Sequence, residues 1–218
     1  MLTSWDYMWR STPMHRREAL GSGSDALSQP PAYPPDVSAD EVLDPDKGRG
    51  PLFHRRYQTR IRNAKLPATT LMALIQSDLN QAAPTAFARF QKVLGRDGAM
   101  AVGDEYVVRM PGPWDGPVRV VAAGALSFRL ATLRGHLESG QIEFRTSGER
   151  TLVFEIESWA RSSDPLSNLL YQHLRMAKEV QLHMWISFLE GVVALSGGRM
   201  TGGVDIDTRR IEDGADGR

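Results

Sequence analysis

Apolar and polar positions alternate in short runs through most of this chain and then change to a helical spacing in one long segment. Leu166 to Ser196 carries a continuous apolar stripe, with Pro165 before it and Gly197 after it, the usual arrangement at the two ends of a helix. At 1.5 Å per residue, such a helix is about 46 Å long. The pattern therefore predicts one long C-terminal helix that needs an extended apolar surface to pack on.

Six runs before this helix alternate with a period of two, which is typical of strands with one buried face. They are 53–64, 101–110, 118–123, 127–133, 141–146 and 151–160. Two helices are predicted after the first run, at 68–79 and 85–93, separated by the break at Ala83-Pro84. Because most of the runs follow one another too closely for crossover connections, we expect a mostly antiparallel sheet.

This order of elements predicts an α+β domain of helix-grip type, in which a curved antiparallel sheet of about six strands wraps around the C-terminal helix. We expect the domain to cover residues 51–207, with no further element after the helix to cover it. Residues 1–50 indicate an N-terminal extension and a Pro/Gly-rich linker, ordered only where Tyr33 or Val42 finds a groove. Residues 208–218 are polar and are expected to form a flexible tail.

Composition limits the classes of function. With 26 basic and 26 acidic residues the formal net charge is zero, which argues against nucleic acid as a partner, because phosphate binding relies on clustered positive charge. The absence of cysteine excludes disulfides, thiolate metal sites and cysteine nucleophiles and fits a cytoplasmic location. The sequence contains no uninterrupted run of 18 apolar residues, so no integral membrane segment is expected. The N-terminus lacks the apolar core of a secretory signal.

Four blocks of the sequence carry a family resemblance. They are VGDEYVVRMPGPWDGPVRVV (102–121), FRLATLRGHLESGQIEF (128–144), FEIESWARSSD (154–164) and AKEVQLHMW (177–185). In these blocks the chain resembles a bacterial domain-of-unknown-function family, the one numbered nineteen-ninety. Its element order resembles the broader birch-pollen-allergen-like, START-like (SRPBCC) helix-grip superfamily. That resemblance implies a hydrophobic cavity between sheet and helix. Superfamily members range from lipid and hormone carriers to cyclases and dehydratases, so the fold alone does not fix a function.

The leading interpretation is a binding protein that holds a small, largely apolar molecule or a lipid in this cavity, without a cofactor or a metal ion. A few polar groups beside an apolar wall are what orients a ligand in such a pocket. The residues expected to face the pocket are Tyr106, Trp114, Phe128, His173, Gln181, Trp185 and Phe188.

An enzyme of the cyclase or dehydratase kind is the first alternative, with His136, Glu157 or His173 transferring a proton. His136 precedes Glu138 in a turn, where the favoured interpretation is that it caps a carbonyl group while Gly135 and Gly140 supply backbone freedom. Glu157 shares a strand face with Glu155. An inward face would raise the pKa values of both carboxyl groups, whereas on an outer face they would pair with arginines of neighbouring strands. The candidate arginines are Arg109, Arg129 and Arg145.

An interaction module is the second alternative. In this interpretation the interior is filled by side chains, and the N-terminal aromatic segment mediates self-association or docks on a partner. The segment contains Trp5, Tyr7, Met8 and Trp9. A membrane-surface anchor is the less favoured use of this segment, because it is short and carries an Asp and a Pro.

Overall fold

The computed structural model describes residues 12–21, 28–35, 37, 41–85, 88–110, 115–163 and 167–212, without the side chains of 167–180. Within these residues the fold is α+β, as predicted. The strands are β1 (Met14–Gly21), β2 (Arg49–Arg62), β3 (Arg89–Leu94), β4 (Glu105–Arg109), β5 (Asp115–Ala123), β6 (Ser127–Thr132), β7 (Glu138–Ser147), β8 (Thr151–Ser162) and β9 (Arg199–Ile211). The helices are α1 (Ala68–Ser77) and α2 (Ser167–Ser196), with single 3-10 turns at Pro45–Lys47 and Leu79–Gln81.

All nine of these strands form one curved sheet, in the order β1-β9-β2-β8-β7-β6-β5-β4-β3. Every pairing is antiparallel except that of β1 with β9. The antiparallel arrangement agrees with the prediction, but the predicted number of about six strands is wrong. The three additional strands are β1, β3 and β9.

Each additional strand has a physical reason for being missed. The helix predicted at 85–93 is wrong, because residues 89–93 belong to β3. The prediction relied on the spacing of Phe87 and Phe90, three residues apart, which is typical of a helix. In the structure Phe90 faces the core from a strand. The sequence of β9 contains Gly202 and Gly203, both at positive φ, where the register with β2 shifts. Side chains along β1 are almost all exposed, so the strand has no alternation to detect.

The core lies between the inner face of the sheet and α2. Phe144 stacks on Phe128 with ring centroids 4.5 Å apart, and Phe188 of α2 lies 5.3 Å from Phe144. Burying an aromatic side chain of this size stabilises the fold by about 1.5–3 kcal/mol. The C-terminal half of the long helix therefore packs on the middle strands, as the apolar stripe predicted.

Both ends of α2 agree with the predicted bounds to within one residue. Gly197 ends the helix at a φ of +67°, a conformation that favours glycine, and its N–H donates to the carbonyl oxygen of Ala194 at 3.0 Å. From there the chain continues directly into β9, whose Val204 and Ile206 are buried. The expectation that no later element covers the helix is therefore wrong. β9 also extends four residues into the stretch predicted as a flexible tail.

The outer face of the sheet is partly covered by the described residues of the segment 28–48, which are 28–35, 37 and 41–48. Val42 is only 2% exposed and packs with Val121 and Ala131, while Tyr33 packs against the same cluster. The N–H of Leu43 donates to the main-chain oxygen of Thr132 at the end of β6, and the Thr132 hydroxyl donates to the carbonyl oxygen of Leu43. This part of the N-terminal region therefore contributes to the packed structure.

Candidate functional site

A cavity of about 90 Å³ lies between the inner face of the sheet and α2. Most of its wall is apolar, and a polar group of side chains is concentrated at one end. The apolar lining consists of Tyr57, Phe90, Val108, Met110, Val118, Leu130, Ile142, Ala160, Met184 and Trp185. The polar lining consists of Arg55, Thr132, His136, Glu138, Gln141, Ser158 and Gln181. An apolar chamber with a few convergent polar groups is the usual form of a small-molecule site.

Arg55, Glu138 and Gln181 bring three elements together at the polar end. The sequence of β2 places Arg55 on the same face as Tyr57, so its side chain points inward, and β8 places Ser158 directly beside it. Gln181 of α2 donates from Nε2 to Oε2 of Glu138 at 2.9 Å, and Nη1 of Arg55 lies 4.0 Å from Oε1 of the same carboxylate. The helix is thereby tied to the rim of the cavity through a carboxylate.

His136 lies in the turn between β6 and β7 and lines the same cavity. Its Nδ1 lies 2.9 Å from the main-chain nitrogen of Glu138 and 3.0 Å from the main-chain oxygen, so that nitrogen is held by the backbone in either tautomer. Burial lowers the pKa of His136, against the opposing charge of Glu138. The ring is therefore neutral at neutral pH. Its Nε2 lies close to Gly116, since a Cβ added to that glycine would be 3.0 Å from Nε2.

A second, open groove of about 480 Å³ adjoins the cavity, and Arg55 and Tyr57 line both spaces. The groove lies between the β1–β9 edge and Leu182 of α2. Its charged side chains are Arg16, Arg17, Glu18, Arg55 and Arg210. The guanidinium of Arg55 also lies 4.7 Å from the ring centroid of Phe53, a cation–π distance. The groove beside the small inner chamber is therefore wide and carries an excess of positive charge.

The structure distributes the predicted pocket residues over three locations. Gln181 and Trp185 line the cavity, as does the catalytic candidate His136. Tyr106, Phe128 and Phe188 are buried in the core and are not among the residues that line it. Trp114 and the side chain of His173 lie outside the described residues.

Glu157 does not line the cavity, because it lies on the opposite face of the sheet from Phe154 and Ile156. Arg145 of β7 contacts the carboxylates of both Glu155 and Glu157. The predicted pairing with an arginine of a neighbouring strand is thus confirmed, and a role for Glu157 as an acid in the inner cavity is ruled out by its position.

Arg55 is a charged residue of the cavity that was not predicted from the sequence. The alternation of Tyr57, Thr59 and Ile61 defines the buried face of β2, and Arg55 has the same parity. An arginine in phase with an apolar face is a detectable signal, since charged side chains are rarely buried without a reason. The signal was hard to recognise, because four of the five residues from His54 to Gln58 are polar and the alternation is not visible there.

In the part of the chain that the structure describes, no three His, Asp or Glu side chains are grouped to hold a metal ion. Neither helix, over its described residues, is long and apolar enough to cross a membrane.

Comparison with protein families gives one match. A family model described as "Domain of unknown function (DUF1990)" matches residues 29–188, which is well over half of the chain. The match includes the cavity and part of the segment on the outer face. No curated protein matches the chain.

Solved structures resemble the fold at low sequence identity. The di-domain ARO/CYC StfQ from the steffimycin biosynthetic pathway is 11% identical, with a TM-score of 0.50 over 70% of this chain and 52% of that one. Norcoclaurine synthase from Thalictrum flavum, in complex with dopamine and hydroxybenzaldehyde, is 9% identical, with a TM-score of 0.47 over 75% of this chain and 96% of that one. The hypothetical protein jhp0584 from Helicobacter pylori is 9% identical, with a TM-score of 0.47 over 65% and 86%. At such identities the first of these supports the fold and nothing further.

Proposed function

The chain belongs to the family described as Domain of unknown function (DUF1990), and from this premise and the geometry of its inner cavity we propose that it binds a small, largely apolar ligand between the sheet and α2. The observation that carries the proposal is the chamber itself, an apolar wall with Arg55, Glu138, Gln181 and His136 gathered at one end. Such a wall removes apolar surface from water, and the polar end fixes orientation. A cytoplasmic location and the absence of a cofactor belong to the same proposal.

The size of the space supports a short apolar group in the inner chamber. A volume of about 90 Å³ corresponds to roughly three water molecules in the liquid, so only a small part of a ligand fits there. The adjoining groove of about 480 Å³ has room for the remainder. Together the two spaces fall in the size range of ordinary small-molecule sites, about 300–1,000 Å³.

The polar end supports binding better than proton transfer. Contact between His136 and Glu138 runs through Nδ1 and the main chain, and the Glu138 carboxylate instead accepts from Gln181. An acid–base pair would need the two side chains to converge on a common point in the cavity. These contacts favour a rigid rim that positions a ligand.

We expect the cavity to bind hexan-1-ol, used as a neutral apolar probe, and to lose it when the chamber is filled. Ser158→Leu adds apolar volume beside Arg55, at a position that lines the cavity. In an NMR titration, the indole N–H signal of Trp185 should shift with hexan-1-ol in the wild type, and binding should weaken at least about tenfold in Ser158→Leu, since fitted apolar contacts are lost. Native mass spectrometry of the protein purified from its own host should show a retained small molecule.

Ser147→Leu is the matched control, because it makes the same change at an exposed position of β7. It should bind hexan-1-ol as the wild type does. Absence of any saturable shift in the wild-type protein, together with no retained molecule, would contradict the proposal.

A further inference from the structure

Arg55 is a largely buried cation that has no hydrogen-bonded partner among the residues that the structure describes. The residue is 8% exposed, and a guanidinium carries five N–H donors. Its charged contacts in the described part of the chain are the Glu138 carboxylate at 4.0 Å, which is beyond hydrogen-bonding distance, and the face of Phe53. These two contacts leave N–H donors of Arg55 available to an anion that comes from outside the chain.

The position of Arg55 defines where that partner lies. Its side chain lines both the inner cavity and the groove, so a group bound to it sits at the boundary between them. On one side are apolar side chains such as Leu130 and Trp185. On the other side are Arg16 and Arg210, with Glu18 nearby and with Arg210 paired to Glu212 at 2.7 Å. An excess of positive charge around a cleft attracts anions.

The Glu138 carboxylate does not occupy the donors of Arg55 that an incoming anion would use. Its carboxylate already accepts a hydrogen bond from Gln181 at 2.9 Å, which holds it toward α2. The planar fork of an arginine matches a carboxylate or a phosphate through two parallel hydrogen bonds. An incoming anion can therefore use donors of Arg55 that Glu138 does not reach.

We propose that Arg55 binds the anionic head group of an amphiphilic ligand, a carboxylate or a phosphate, whose short apolar tail occupies the inner cavity. This inference rests on the proposed function, because it assigns a head group to the same ligand. It identifies the ligand class as a small organic acid or organic phosphate with an aliphatic or aromatic tail. The tail is short because the inner chamber is small.

The test compares hexanoate, hexyl phosphate and hexan-1-ol, which share a tail and differ in the head group, by NMR titration of the full chain at low ionic strength. At least one anion should bind about tenfold to hundredfold more tightly than the alcohol, the range expected for hydrogen bonds to a charged group. Whichever anion binds more tightly identifies the head group. Arg55→Gln should abolish the preference for the anions, so that they bind this variant no more tightly than hexan-1-ol binds to the same variant.

Arg60→Gln is the control, since it removes an arginine of the same strand that faces outward and pairs with Asp205; it should leave all three affinities unchanged. Arg55→Met, of similar length but without polar atoms, replaces Arg55→Gln if that variant does not fold. Equal affinity of the wild type for alcohol and anions would overturn the inference and leave the proposed function standing. Anion binding that survives in the folded Arg55 variants would also overturn it, and binding of none of the probes would overturn both proposals.

Discussion

Glu157 illustrates how the outer face of the sheet holds a buried carboxylate. Nε2 of His54 lies 2.7 Å from Oε1, and Arg145 contacts Oε2 while also pairing with Glu155. The His54 ring stacks on Trp159 at a centroid distance of 5.2 Å. Burial alone would raise the pKa of Glu157, but the hydrogen bond from His54 and the charge of Arg145 outweigh it, and the pKa is lowered.

Replacing this carboxylate should reduce stability at neutral pH. Glu157→Gln keeps a hydrogen-bonding group but removes the charge that faces His54 and Arg145, so we expect a loss of about 1–3 kcal/mol in the free energy of unfolding. A carboxyl group with a lowered folded-state pKa contributes stability above its ordinary pKa of about 4.3 and loses the contribution as the pH falls through the folded value. The difference between wild type and variant should therefore shrink in acid.

Urea unfolding at neutral pH and in acid, at the same salt concentration, measures both effects. Glu149→Gln, in the exposed turn between β7 and β8, controls for the general effect of removing one carboxylate. A Glu157→Gln variant as stable as Glu149→Gln at neutral pH would show that the outer network contributes nothing at this residue.

At the scale of elements, the packing of α2 depends on a glycine within the helix. Gly191 lies against the 3-10 turn after α1, and a Cβ at this position would overlap the carbonyl oxygen of Ala82. Glycine in a helix interior costs about 0.5–1 kcal/mol relative to alanine. The close approach of the two elements explains why the helix contains it nevertheless.

Gly191→Ala should therefore destabilise the protein although it raises helix propensity. Overpacking against a backbone atom costs about 1–3 kcal/mol, which exceeds the propensity gain, so we expect a net loss of about 1–2 kcal/mol in thermal or urea unfolding. Ala194→Gly, at an exposed position of the same helix, reports propensity alone and should lose about 1 kcal/mol. If packing did not matter, the two substitutions would shift stability in opposite directions.

These elements also show what a sequence of this kind predicts well. Periodicity located α2, β2 and the strands β4 to β8, because each of them has one buried face and a marked turn at one or both ends. It missed β1, which is exposed along its length, and β9, whose paired glycines accommodate a register shift. The direction of Arg55 follows from strand parity, but the 4.0 Å that separate it from the Glu138 carboxylate do not, because they depend on the three-dimensional arrangement of the two strands.

At the scale of the whole molecule, one sheet serves two purposes. Its inner face and α2 enclose the cavity, while its outer face carries the segment 28–48. Carbonyl oxygens of this segment accept hydrogen bonds from the sheet: Gln141 donates to Pro31 at 2.8 Å and Arg129 donates to Ala32 at 3.0 Å. Because Gln141 also lines the inner cavity, the outer segment contacts a residue that belongs to the wall of the site.

Nested truncations test where the folded domain begins, which the sequence places at residue 51. Removing residues 2–27 takes away β1, whose side chains are mostly exposed, and should have the smaller effect on stability. Removing residues 2–44 also takes away Val42 and uncovers Val121 and Ala131. The extra loss should be about 2–4 kcal/mol in urea unfolding, from one buried aliphatic side chain and the hydrogen bonds to Arg129 and Gln141.

The two truncated proteins also separate packing from binding. The shorter deletion removes the β1 wall of the groove but leaves the inner cavity, so hexan-1-ol should still bind to it. The longer deletion should bind a hydrophobic dye more strongly, because the apolar outer patch becomes exposed. Equal stability of the two proteins would mean that the segment 28–44 is a dispensable linker, and that the cooperative unit begins with β2.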